Sequence, residues 1–166
     1  MPLPTSADLQ SILREHWPML SRLAYSYTRD IARRDDLLQE VSIAVWQALP
    51  RWRGEGSLRA FIARVAHNRS VDVLAIEQRL SARVLDDGWP DPNADPLRHA
   101  EAQQQRDELL SAVISLPLGY RQVVSLALEG FSHREISDAL GLEENAVAQR
   151  LSRARRQLRD LMGASP

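Results

Sequence analysis

The chain has 166 residues, 44% hydrophobic and 26% charged, a balance that suits a globular protein of one ordinary domain or two small ones. It has no cysteine, which excludes disulfides and thiolate metal sites, and its four histidines (His16, His67, His99, His133) show no metal-ligand spacing. No apolar run approaches the roughly 20 residues that a bilayer requires, and the first ten residues lack a signal-peptide pattern, so a cytoplasmic protein without membrane insertion is expected. The net charge of −1 conceals an uneven distribution: arginines crowd Arg51 to Arg83 and Arg150 to Arg159, while aspartates gather between Asp86 and Asp95. All 21 basic residues are arginine, a side chain suited to phosphate and guanine contacts, though a GC-rich genome explains the same bias.

Helical periodicity runs along the chain. Leu9, Ile12, Leu13, Leu20, Leu23, Ala24 and Tyr27 recur at spacings of three and four, and Pro18 predicts a kink or a new helix start. Leu37, Val41, Ala44, Val45 and Ala48 form a second stripe, ended by Pro50. The polar loop Arg51 to Gly56 follows, and Ser57 is placed to cap a third helix that carries Leu58, Phe61, Ile62 and Val65 and extends to about Arg83. Asp86 to Pro96 reads DDGWPDPNADP, with no apolar period, and marks a linker. Helix resumes from about Leu97 to Ser115, and another runs from Arg121 to Glu129, with Gly130 as its C-cap. Ser132 and Glu135 match a capping box, Gly141 supplies a turn, and Val147, Leu151, Ala154, Leu158 and Leu161 make a long amphipathic stripe. No strand pattern is present. The expected fold is all-α, with two small helical domains at 1–85 and 99–166 joined by a Pro/Asp-rich linker at 86–98.

From Ser132 to Arg159 the pattern is a capped helix, a glycine turn and a longer helix with one arginine face, the layout of a helix-turn-helix. Gln149, Arg150 and Arg153 fall at candidate groove-facing positions, and Arg155, Arg156 and Arg159 lie where phosphates could be reached. A solvated arginine face on an ordinary helix hairpin fits the same pattern. In the first half, Trp46, Trp52 and Phe61 surround an arginine-rich loop and helix, and rings beside cations suit single-stranded nucleic acid. Trp46 and Phe61 also fit apolar stripes and are expected in the core. Trp52 lies in a polar Arg-Trp-Arg-Gly loop.

Asp36 to Leu49, then Trp52 to Ile62 and Arg64 to Asn68, resemble the conserved second region of bacterial RNA polymerase sigma factors of the extracytoplasmic-function (ECF) type in the sigma-70 family. Leu116-Pro117, Glu129 to Ser132, Glu135-Ile136, Leu140 to Leu142 and Val147 to Leu158 resemble the fourth region of the same family. The resemblance implies a factor that binds core RNA polymerase and directs transcription initiation at promoters. Asp36, Gln39 and Glu40 would then contact the clamp helices of the polymerase. Trp52 to Ser57, with Arg53 among them, would hold a flipped base of the minus-ten element, and Arg64, Asn68 and Arg69 would line the adjacent strand. Gln149, Arg150, Arg153 and Arg156 would serve the minus-thirty-five element as duplex. The partners implied are core polymerase, promoter DNA both duplex and melted, and in many members an anti-sigma factor.

The chain departs from the family after the third helix, where Val73 to Arg79 is not basic, and at Ala148, where lysine is common. Two other readings stand beside the resemblance. A helix-turn-helix regulator acting without polymerase would account for Ser132 to Arg159 and leave Asp36 to Asn68 without a role. A sigma-like adaptor that binds an anti-sigma protein and not DNA would account for the departures. No nucleophile–base pair, Gly-rich phosphate loop or metal cluster stands out, so neither an enzyme nor a cofactor is expected.

Overall fold

A computed structural model describes residues 5–81 and 101–163. The linker expected at 86–98 lies outside the described residues, as do the helix ends expected near Arg83 and Leu97. Among the described residues every regular element is a helix, in agreement with the all-α expectation.

The first helix, α1 (Ser6–Tyr25), starts at a reciprocal cap. The Asp8 backbone N–H donates to Thr5 Oγ1 at 3.3 Å, and the Thr5 N–H donates to Asp8 Oδ2 at 2.8 Å. The Thr5 hydroxyl, which donates to Asp8 Oδ2 at 2.7 Å, and then the Thr5 N–H hold the Asp8 carboxyl below the usual carboxylate range. Of the two alternatives read for Pro18, a new helix start does not occur: it sits inside α1, which runs through it. Its missing N–H frees only the carbonyl of Arg14, an exposed residue whose carbonyl water can satisfy. Met19, Leu20, Leu23 and Ala24, all buried, hold the half that follows.

Asp30 caps α2 (Ile31–Ala48) by accepting from the Ala32 N–H at 3.0 Å. Leu37, Leu38, Val41 and Val45 are its buried stripe, and a single tight turn, Leu49–Arg51, ends the run at Pro50. After the loop, Ser57 Oγ accepts from the Ala60 N–H at 3.0 Å and opens α3 (Leu58–Ser81), as the sequence predicts. Ile62, Ala63, Ala66 and Ser70 are buried on α3, and the three helices pack pairwise. Small residues at 63, 66 and 70 let the helix axes approach.

The second module comprises α4 (Glu101–Ser115), α5 (Leu118–Leu128), α6 (His133–Leu140) and α7 (Glu144–Gly163). Arg121 closes the end of α4: its Nη2 donates to the carbonyls of Ile114 at 2.7 Å and Leu116 at 3.1 Å. These are carbonyls that a helix C-terminus leaves without partners. Burial lowers the Arg121 pKa, and Arg29 nearby adds to that. The capping box at α6 forms as expected, with the Glu135 N–H donating to Ser132 Oγ and the Ser132 N–H to Glu135 Oε2 at 2.8 Å. Gly141 ends α6 at φ 65°, a left-handed conformation that a Cβ penalises. Val123, Ile136, Val147, Leu151 and Ala154 make the core of this module.

The modules touch where α3 packs on α6. Buried in the first of them, Tyr27 places its hydroxyl 2.5 Å from His67 Nδ1. Burial raises the Tyr27 pKa and lowers that of His67 to about 4, so the phenol keeps its proton and the imidazole is neutral.

Two predictions follow from these local structures. Ser132→Ala should cost about 1 kcal/mol in thermal unfolding, because one N-terminal donor of α6 loses its acceptor. Below the ordinary imidazole pKa of about 6.5, the unfolded chain takes up a proton that folded His67 refuses. Stability should therefore be full above about pH 6.5 and fall by about 2 kcal/mol between pH 7 and pH 5. His67→Gln, whose amide oxygen can still accept from Tyr27, should flatten that slope in denaturant titrations; an unchanged slope would place its origin elsewhere.

Candidate nucleic-acid interface

Three exposed faces carry the residues singled out from the sequence. On α2, Asp36 and Gln39 are one turn apart and exposed. They line a groove of about 570 Å³ between α1 and α2, together with Leu13, Trp17, Ile43 and Trp46. Trp17 and Ile43 are 45% and 49% exposed, high for residues so apolar. Sequence reading passed over both, although the signal is present: each is a large apolar residue off its helix's buried stripe. Glu40 points elsewhere, its Oε2 lying 2.5 Å from Arg69 Nη2 on α3. The structure thus brings Asp36 and Gln39 together on the groove and joins Glu40 to a residue expected to face DNA.

The second face combines the loop after α2 with the exposed side of α3. Gly54 and Gly56 have φ of 81° and 71°, so the loop needs glycine at both positions to reverse the chain within six residues of Arg51. Arg53 and Ser57 are exposed at its surface. Trp52 is half-buried, and its indole N–H is enclosed without an acceptor, one of the few such donors among the described residues. Phe61, Arg64 and Asn68 follow at helical spacing, with the Arg64 guanidinium 5.5 Å above the Phe61 ring. Phe61 and Trp46 are half-buried and packed against the core, as expected, yet each also lines a cavity. Ser57, Phe61 and Arg64 border a cleft of about 400 Å³ whose opposite wall is Arg134, Glu135 and Asp138 of α6.

The third face is α7. Gln149, Arg153 and Arg156 are exposed along one side of it, with Arg155 and Arg159 exposed beside them. Arg150 stands apart. It is half-buried, and a Cβ added at Gly119 would lie 3.4 Å from its Nη1, so its guanidinium rests on the start of α5. The absence of a side chain at Gly119 makes room for it. Helix α6, its glycine turn and α7 form the helix-turn-helix arrangement read from the sequence.

Removing both members of the Glu40–Arg69 pair, singly and together, should return a coupling of about 0.2–1 kcal/mol in urea unfolding, since both groups are largely solvated. A coupling near zero would mean that the pair does not orient Arg69.

Two family descriptions match this chain: "Sigma-70 region 2" over residues 12–80 and "Sigma-70, region 4" over residues 106–158. The ECF RNA polymerase sigma factor SigE of Mycolicibacterium smegmatis is 29% identical over 157 residues, covering 91% of this chain and 60% of SigE. The chain thus spans about three fifths of that relative's length. The structure of CnrH in complex with the cytosolic domain of CnrY superposes with a TM-score of 0.71 at 25% identity, over 98% of this chain and 92% of that one. The sigma factor RpoE from Bartonella quintana, in complex with the anti-sigma factor NepR, shares the fold with a TM-score of 0.74 at 20% identity, over 96% of this chain and 99% of that one. A region 2 module followed by a region 4 module, each on the helices that carry its exposed faces, identifies the chain as a member of the sigma-70 family, of the ECF type.

Proposed function

We propose that this protein docks on core RNA polymerase through the α1–α2 groove and directs it to promoters by reading two DNA elements, one with each module. The observation that carries this reading is the placement of three unburied faces: an acidic groove with apolar walls, an aromatic–arginine face on α3, and an arginine face on α7. In the groove, Asp36 and Gln39 would meet basic groups of the polymerase while Trp17 and Ile43 bury against apolar ones. Glu40 acts one step removed, by fixing Arg69.

On the second face, Trp52, Arg53 and Ser57 hold a base of the melted minus-ten element. The base stacks on aromatic surface, and the unpaired indole N–H of Trp52 gains an acceptor when the loop engages it. Arg64, Asn68 and Arg69 follow the strand, with the asparagine amide able to donate and accept at a base edge. On α7, Gln149 and Arg153 read base edges of the minus-thirty-five duplex and Arg156 meets phosphate. Arg150, braced on Gly119, supports the helix turn and reaches the groove only from its rim. No catalytic residue is required, because capture of melted bases shifts the duplex-to-open equilibrium and the polymerase carries out the chemistry. Such a subunit works in the cytoplasm; no helix among the described residues is long and apolar enough to cross a membrane.

The test is transcription in vitro with purified core polymerase and a library of random promoters, in which transcripts should share a two-part upstream motif. Core binding without transcripts would favour the adaptor, and absence of core binding would leave a regulator that acts alone. Within the same assay, Trp52→Ala should lower open-complex formation about tenfold, the loss of one stacking contact, while core affinity stays unchanged. Equal loss of both would assign Trp52 to folding instead.

A further inference from the structure

Of the five arginines from Arg150 to Arg159, four are exposed and Arg150 is half-buried. Its guanidinium lies against Gly119, in the first turn of α5. A Cβ at position 119 would stand 3.4 Å from Nη1 and 3.9 Å from Cζ of Arg150. Those are touching distances, so alanine is the largest side chain that position 119 admits while the guanidinium stays where it is. The backbone at this position does not call for glycine. The glycines with positive φ are Gly54, Gly56, Gly130 and Gly141, whereas Gly119 lies within a helix, where glycine is a poor residue. What glycine supplies there is space.

The electrostatics of this seat are unfavourable. Helix α5 begins at Pro117, which gives no side-chain cap, and a helix N-terminus carries partial positive charge. Fit against the bare α-carbon, rather than charge, holds the guanidinium, so a larger side chain at position 119 would expel it. Gln149 and Arg153 are exposed and one turn apart on α7. Arg150 lies between them in sequence, and its flexible stem lets an expelled guanidinium swing toward the side that they share.

We propose that Gly119 is a specificity-determining position: its missing side chain seats the Arg150 guanidinium on α5 and keeps it off base edges, leaving Gln149 and Arg153 to choose the duplex sequence. The inference rests on the promoter-reading role assigned to α7. Gly119 itself need not touch DNA; it is a positioning residue that acts through Arg150. A free arginine in the major groove prefers guanine, whose N7 and O6 accept two of its donors. Retracting Arg150 therefore removes one guanine preference from the minus-thirty-five element.

The test uses the full chain with Gly119→Ala, Gly119→Ile, Arg150→Ala and the Gly119→Ile/Arg150→Ala double variant. Isoleucine carries carbon on two of the three staggered positions at Cβ, so it cannot turn wholly away from the guanidinium. In thermal unfolding, Gly119→Ala should raise the midpoint, because alanine is the better helix former and fits the seat. Gly119→Ile should lower the midpoint when Arg150 is present and raise it in the Arg150→Ala background. The same shift in both backgrounds overturns the seat. Reading is measured by transcription with core polymerase on promoters randomised across the minus-thirty-five element. Gly119→Ile should enrich guanine at one position at least about fivefold, the lower end of what a bidentate arginine discriminates, and the double variant should lose that enrichment. The wild type and Gly119→Ala should share one preference. An unchanged preference in Gly119→Ile overturns the specificity role even where the unfolding cycle shows the seat. Absence of transcripts for every protein would refute the promoter-reading role and the specificity role with it, while the unfolding cycle still decides whether the seat exists.

Discussion

Each helix of this protein can bury one face only, and that limit decides where function sits. The seam of Leu37, Leu38, Val41 and Val45 against Ile62, Ala63 and Ala66 fixes the rotation of α2 and α3 about their own axes. Once these residues are inside, Asp36 and Gln39 must emerge beside α1, Glu40 must emerge toward α3, and Phe61, Arg64 and Asn68 must share a surface. The same holds for α7, where burial of Val147, Leu151 and Ala154 leaves Gln149, Arg153 and Arg156 outside. Modules this small bury a modest fraction of their surface, so a large share of each sequence is available for partners. The exposed faces are what packing leaves over.

All 21 of the lysine-or-arginine positions here are arginine, and several of them perform structural work. Arg121 forks across two carbonyls at the end of α4, Arg22 forks onto both oxygens of Glu129, and Arg59 stacks on a ring while donating to a carbonyl. A lysine ammonium, compact and strongly hydrated, could reproduce none of these planar contacts fully. Charge density along the chain therefore overstates the cationic surface left free. Arg150 illustrates the difference: its position in α7 suggests a groove reader, and its guanidinium is engaged by a glycine on another helix.

Features encoded within a few residues were legible in the sequence. The Ser132–Glu135 capping box, the Ser57 cap, the Gly141 turn and the apolar stripes depend on spacings of two to four and appear as read, save that Leu161, read onto the last stripe, is exposed. At Pro18 the sequence leaves a new helix start and a kink open, and the packing of Met19, Leu20 and Leu23 carries α1 through it without a new start. Pairs distant in sequence leave no local trace. Arg69 meets Glu40 from 29 positions away, and Arg22 meets Glu129 from 107. Nothing about either arginine's neighbours distinguishes it from the solvated ones. Trp17 and Ile43 are an intermediate case, since an apolar residue off the stripe is visible beforehand and its meaning emerges only when a groove forms beside it.

The chemistry of the module seam bears on how strongly it can hold. A seam closed by apolar burial alone would gain little from opening in water and would resist it at any ionic strength. The contacts at Glu129 behave differently. Their gain is the difference between two solvated states: carboxylate and guanidinium with each other, or each with water and counterions. That difference is small, it weakens within a Debye length of added salt, and it can be matched by a polyanion that offers oxygens to the same donors. Arg22 remains largely exposed while its partner is enclosed, so a competing anion can approach the pair from the solvent side. The seam between the modules is therefore held in part by contacts whose strength depends on the ionic strength around them.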